Sequence, residues 1–256
     1  MADPRGRAAN GAAARQARWL RRIVPDEDAR ARLIAIPHAG GTASFFSPWR
    51  NLLPAGLELM AVQLPGRETR LMEPLERDIH VVVEELAEAV AALPNRPYAL
   101  FGHSMGALIA YELARRLRSL ALAEPDHLFI SSCPAPHRYS LEAWAGYLDD
   151  DKLLQLLGLP PELTANAEFA ELVLPIIRAD TELCERYRYV QQPPLACPIT
   201  VCAGTDEMAH WSVYLRAWSE HTTGEFRALE WPGGHFYLRD HPAELIAVID
   251  CALEAS

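Results

Sequence analysis

The chain has 256 residues, half of them hydrophobic, and a formal net charge of -10. This length and apolar content suit a single α/β unit with a large core, and the acidic balance argues against general nucleic-acid binding and against docking on an anionic membrane. No apolar run is long enough to span a bilayer, and the 5 cysteines, an odd number without a CxxC pair, read as reduced thiols of a cytoplasmic protein.

Residues 1–18, rich in Ala, Arg and Gly, are expected to form a disordered or flexible tail ahead of a domain over 19–256. No hydrophobic segment follows the early charges, so the start does not read as a secretory signal. Arg32–Ile36 is the first clear strand, and it runs into Pro37-His38-Ala39-Gly40-Gly41. Glycines directly after a buried strand leave backbone N–H groups open to a ligand. Phe45–Leu53 is expected to be helical with Ser44 as its N-cap, and Leu57–Leu64 to be a strand. Arg67 and Arg70, after the break at Pro65-Gly66, are either phosphate contacts near an entrance or members of a salt-bridged surface loop. Ile79–Leu93 has the spacing of an amphipathic helix.

The apolar strand Tyr98–Phe101 then leads into Gly102-His103-Ser104-Met105-Gly106, and helical spacing follows from Ala107 to Leu117. Strand, G-x-S-x-G and helix together are the context of a nucleophile elbow, in which a strained turn lifts the serine above the end of a sheet. Ser104 is the candidate nucleophile. The Met105 N–H, at a helix N-terminus, is one candidate oxyanion donor. On this fold the second donor comes from a loop after an early strand, which assigns it to the Ala39 N–H, with Gly40 as second choice. His38 stands too early in the chain for the base and reads as structural.

Leu128–Ser131 is the next strand. From about 134 to 194 the alternation stops: helical patches near 141–147, 152–157, 168–177 and 181–189 read as an all-helical lid. Strands resume at Ile199–Ala203 and Phe226–Trp231, with a helix from Tyr214 to Glu220 between them and a last helix over Ala243–Leu253. Cys202 and Cys251, both in apolar stretches, read as core filler. The fold class is therefore α/β, an α/β-hydrolase fold with a mostly parallel sheet and a helical lid insertion. A serine nucleophile needs a base and an acid that orients the base, in chain order Ser, acid, His. His235, in the loop after a late strand, is the base. Asp206 and Glu207, after the preceding strand, are the candidate acids. No metal is needed, and the sequence has no dinucleotide fingerprint or P-loop, so no cofactor is expected.

The stretches IPHAGGTASFF, VQLPGRETR, PYALFGHSMGALIAYELAR, LPIIRADTELCERYRY and EHTTGEFRALEWPGGHFYL span nearly the whole chain. Together they resemble the stand-alone type II thioesterases that accompany polyketide synthases and nonribosomal peptide synthetases. The resemblance implies hydrolysis of acyl thioesters on the phosphopantetheine arm of an acyl or peptidyl carrier protein, by an editing enzyme that clears short or stalled acyl groups. Ser104 and His235 match that family's nucleophile and base. Where the family usually has Gly-Asp-x-Asp, this chain has Gly204-Thr205-Asp206-Glu207. Counting back without gaps from Arg216-Ala217-Trp218 favours Glu207 as the acid, with Asp206 the alternative. Arg67 and Arg70 are the basic candidates for contacting an acidic carrier. A monomer is expected. A small-molecule carboxylesterase and an inactive hydrolase-fold binding protein are the competing readings.

Overall fold

The computed structural model describes residues 14–138, 149–155 and 157–254. The expectations for residues 1–13 and for the helical patch near 141–147 lie outside these. The end of the proposed tail is not irregular: residues 14–19 are helical. Arg18 there pairs with Glu73, and the Arg70 guanidinium lies 4.3 Å from the Trp19 ring centroid.

The frame is one seven-stranded sheet in the order β1-β3-β2-β4-β5-β6-β7. Its strands are β1 (Leu20–Val24), β2 (Ala31–Ile36), β3 (Leu57–Val62), β4 (Tyr98–His103), β5 (His127–Ser131), β6 (Ile199–Gly204) and β7 (Phe226–Trp231). Only β1 runs antiparallel to its neighbour; every other pair is parallel. β2 to β6 are buried on both faces, which is why they are mostly apolar, and the charges within them, Arg32 and Glu58, pair with each other at 2.8 Å. The edge strands β1 and β7 are partly exposed.

Parallel strands need crossovers, and helices α1 (Ile79–Ala91) and α2 (Met105–Ser119) supply those around β4. α1 begins where the Asp78 side chain accepts the His80 N–H, a satisfied N-cap. One face of the sheet packs against both helices through residues such as Val82, Leu86, Leu108 and Leu113. The other packs against the C-terminal helix through Leu245, Ile246 and Ile249.

Among the described residues no strand lies between β5 and β6; a 3-10 turn (Pro136–Arg138) is followed by α3 (Asp150–Gln155), α4 (Pro161–Thr164) and α5 (Ala167–Arg186). The two patches expected over 168–177 and 181–189 are one continuous helix that accommodates Pro175. Leu153, Leu154, Leu157 and Ile177 form a small apolar cluster of their own, separate from the two sheet cores.

The remaining helices are α6 (Thr205–Arg216), α7 (Tyr237–Asp240) and α8 (Pro242–Glu254). α6 starts immediately after β6 instead of at Tyr214, so both candidate acids sit in its first turn. The segment expected as a helix from Phe45 is a 3-10 helix over Ala43–Asn51 with Thr42 at the cap position; the Ser44 hydroxyl instead accepts from Arg21 at 2.8 Å. Cys202 is buried, but Cys251 is exposed. α8 turns Leu245, Ile249 and Leu253 inward at helical spacing, which leaves position 251 facing out.

Candidate active site

In a parallel sheet all carboxyl ends lie on one edge, where ligands bind. Here that edge collects the Pro37–Gly41 turn after β2, Ser104 after β4, Ser132 after β5, Glu207 after β6 and His235 after β7.

Ser104 has φ 55 and ψ -120, a left-handed strained conformation, and its N–H donates to Ser131 O at 2.7 Å. The elbow is held by close backbone approach. A Cβ on Gly106 would lie 2.2 Å from Ile36 O and 2.6 Å from Pro37 O; one on Gly102 would meet Gly106 O at 2.2 Å. The clash partners are backbone atoms of β2 and of the elbow itself, and they have little room to yield. We expect Gly106→Ala to cost at least about 3 kcal/mol, seen as a Tm drop on the order of 10 °C in a thermal melt. An unshifted melt would contradict this packing.

Glu207 and His235 come together: Glu207 Oε1 lies 2.7 Å from His235 Nδ1. The second carboxylate oxygen, Oε2, accepts the Ser132 hydroxyl at 2.5 Å. Burial pushes the Glu207 carboxyl up, but the hydrogen bond and charge of His235, together with the Ser132 hydroxyl, outweigh it and hold the group below its ordinary range. Asp206 is exposed, and its backbone N–H donates to Gly233 O at 3.1 Å. With Nδ1 engaged, the imidazole presents Nε2 to a reacting group.

Ser132 was not singled out by sequence reasoning. It has φ 51, outside the usual range for a non-glycine residue, and its only sequence signal is its place directly after β5. A further chain runs beneath the elbow: His103 Nδ1 lies 3.0 Å from Ser131 Oγ, which lies 2.9 Å from the Tyr237 hydroxyl. The His103 ring is 4.8 Å from the His235 ring, centroid to centroid.

In the loop after β2, Gly41 N–H donates to His38 O at 2.9 Å, closing a four-residue turn. Gly40 has φ 75, the sign a type II turn requires at that place. The Gly40 N–H donates to Asp180 Oδ2 at 2.7 Å, so it is committed, and the Ala39 N–H remains outside the turn's own hydrogen bond. Met105 begins α2, where a helix leaves its first N–H groups unused internally.

Arg67 and Arg70 are not entrance contacts. They are 2% and 4% exposed; Arg67 makes a two-pronged ion pair with Asp180, and Arg70 pairs with Glu73 at 2.7 Å. Two guanidiniums saturated by internal carboxylates have no free face for a carrier protein.

The site is set among neutral histidines. Burial pushes His38 down to about 3, helped by the charges of His235 and Arg239. His103 is driven well below its usual value by burial and then by His235. Away from the site, burial takes His127 and His221 to about 4. Each of these four binds a proton more weakly folded than unfolded, so unfolding takes up protons below pH 6.5. Stability is therefore full above pH 6.5 and falls as the pH drops, approaching about 1.4 kcal/mol per pH unit for each histidine. Thermal melts between pH 7.5 and 5 should show a Tm that declines toward acid; a level Tm would contradict it.

Residues 31–253 match the family described as Thioesterase domain. The chain is 37% identical to linear gramicidin dehydrogenase LgrE of Brevibacillus parabrevis, over 93% of each chain. It is 35% identical to thioesterase PikA5 of Streptomyces venezuelae, over 89% of this chain and 82% of that one. Among solved structures, the type II thioesterase BorB from the borrelidin biosynthetic cluster superposes with a TM-score of 0.83 at 38% identity, covering 92% of this chain and 97% of BorB.

Proposed function

This chain belongs to the thioesterase domain family, among the type II thioesterases of polyketide and nonribosomal peptide pathways, and from that premise we propose that Ser104, His235 and Glu207 are its catalytic triad. The substrate is an acyl thioester on the phosphopantetheine arm of an acyl or peptidyl carrier protein. The role is editing: clearing acyl groups that block the assembly line. The observation that carries the triad is the Glu207–His235 pairing on the same sheet edge as the strained Ser104.

The chemistry follows from these groups. Ser104 Oγ attacks the thioester carbonyl carbon while His235 Nε2 takes the hydroxyl proton. Glu207 holds the ring through Nδ1 and stabilises the imidazolium that forms. The oxyanion accepts from the N–H groups of Met105 and Ala39. The C–S bond breaks, His235 returns the proton to the departing pantetheine sulfur, and Ser104 keeps the acyl group. A water then gives its proton to His235 and adds its oxygen to the acyl carbon. Expulsion of Ser104, reprotonated by His235, releases a carboxylic acid.

Hydride transfer, the chemistry in LgrE's name, has no counterpart in this sequence, which lacks the Gly-rich dinucleotide fingerprint. The helices between β5 and β6 serve as the lid in this reading. No helix among the described residues is long and apolar enough to cross a membrane. The test is mass spectrometry of an acylated carrier protein after incubation with the enzyme, beside an acyl-N-acetylcysteamine thioester and the Ser104→Ala variant. Loss of the acyl mass from the carrier, faster than from the small thioester and absent in the variant, is expected. A carrier that stays acylated while simple esters are cleaved would replace this reading with a carboxylesterase.

A further inference from the structure

The buried ion pair between Arg67 and Asp180 ties together three parts of the chain that also meet through apolar packing. Asp180 belongs to α5, in the helices between β5 and β6; Arg67 follows β3; and both touch the turn after β2. Asp180 is 1% exposed. Its Oδ1 accepts from Arg67 at 2.8 Å, while Oδ2 accepts both from Arg67 at 2.6 Å and from the Gly40 N–H at 2.7 Å. The same Arg67 nitrogen donates to Gly41 O at 3.1 Å, and the Arg67 Nε donates to Pro65 O at 3.3 Å. The pair thus grips consecutive residues of the turn, one through its N–H and the other through its carbonyl.

An ion pair that served only to fasten a helix would have no need to spend a carboxylate oxygen on a backbone amide of this turn. The Gly40 N–H belongs to the peptide that follows Ala39, so its direction sets the conformation at Ala39 and with it the aim of the Ala39 N–H. The helices also press on the turn from outside. A Cβ on Gly40 would lie 2.6 Å from Leu157 and 2.8 Å from Ile177, two members of their apolar cluster. Turn, ion pair and helices therefore form one contact.

We infer that Asp180 is a positioning residue for the oxyanion hole: by holding the Gly40 N–H it aims the Ala39 N–H, and it does so only while α5 is docked, so that docking of these helices completes the catalytic site. Arg67 neutralises and orients Asp180. The inference rests on the assignment of Ser104 as nucleophile and of the Ala39 N–H as donor. It ties substrate enclosure to oxyanion stabilisation, because an undocked α5 leaves the turn without its acceptor. Misaiming a donor by a fraction of an ångström affects the transition state far more than the bound substrate.

Two variants of the full chain separate positioning from mere fastening. Asp180→Asn keeps the shape but leaves one acceptor oxygen for three donors. The double variant Arg67→Met with Asp180→Leu removes both charges at similar volume, a change that buried ion pairs often tolerate in stability. It still deprives the Gly40 N–H of its acceptor. With butyryl-N-acetylcysteamine as substrate we expect kcat to fall on the order of 100-fold in the double variant, with KM little changed and Tm near that of the wild type. The rate of Ser104 phosphonylation by a fluorophosphonate, whose phosphoryl oxygen enters the same hole, should fall in parallel. Asp180→Asn should show the same kcat loss wherever it is folded. A folded double variant with kcat and labelling rate near wild type would overturn the inference and leave the pair a fastening. A wild type that is neither labelled at Ser104 nor active on the thioester would instead overturn the nucleophile assignment, and the coupling with it.

Discussion

Glu207→Gln is expected to lower kcat on the order of 10⁴-fold, and Asp206→Asn to leave it nearly unchanged. The two residues are neighbours in the first turn of α6: Glu207 Oε1 is 2.7 Å from His235 Nδ1, while Asp206 is exposed. An amide at 207 either turns its NH2 toward Nδ1, forcing the proton onto Nε2 and removing the base, or keeps its oxygen there without the charge that stabilises the imidazolium. Both outcomes cost the transition state. The Ser132 hydroxyl holds the other carboxylate oxygen, Oε2, at 2.5 Å and so fixes the carboxylate that faces the ring. Steady-state kinetics on a small thioester decide the matter. A large loss in Asp206→Asn with an active Glu207→Gln would reverse the assignment.

The second large effect belongs to Ser104. In the proposed mechanism Ser104→Ala removes the atom that bonds covalently to substrate, and a loss on the order of 10⁶-fold in kcat is expected, with the fluorophosphonate adduct abolished. The fold should survive, because Ser104 contributes to packing mainly through its backbone: its N–H reaches Ser131 O, and its strained φ of 55 is set by the surrounding close approach. Alanine at that φ keeps the same strain and the same N–H. A variant that melts with the wild type but turns over substrate at a comparable rate would rule out the serine mechanism.

Much of this was legible in the residues. The elbow could be read because a buried strand, two glycines and a helix leave few alternatives, and the glycine contacts bear that out at Gly102 and Gly106. His235 could be read because the strand order places it on the right edge. The choice between Asp206 and Glu207 depends on a helical start at Thr205 that the polar sequence there does not announce. Strand β1 was missed because its two arginines, the exposed Arg21 and the half-buried Arg22, hide the pattern of an edge strand. Arg67 was misread for a physical reason: an arginine after a Pro-Gly break looks like a surface residue until its partner is known. That partner, Asp180, lies 113 positions later in a helix. Long-range pairing of buried charges has no local signature, and Ser132 escaped notice for the same reason.

The apolar cluster formed by Leu153, Leu154, Leu157 and Ile177 shares no side chains with either sheet core. A packing unit of this kind can loosen at a lower free-energy cost than the sheet core, while Leu183 and Cys184 keep the end of α5 anchored in that core. That loosening is opposed by the cluster itself, by the Asp180 contacts and by the Arg239 guanidinium, which reaches the Leu157 and Gly158 carbonyls from α7. In the proposed reading, where these helices are the lid, global stability and substrate admission sit on separate free-energy scales in one chain. Selection can retune which acyl groups enter by substitutions among these helices, while the scaffold that aligns serine, histidine and glutamate is left intact.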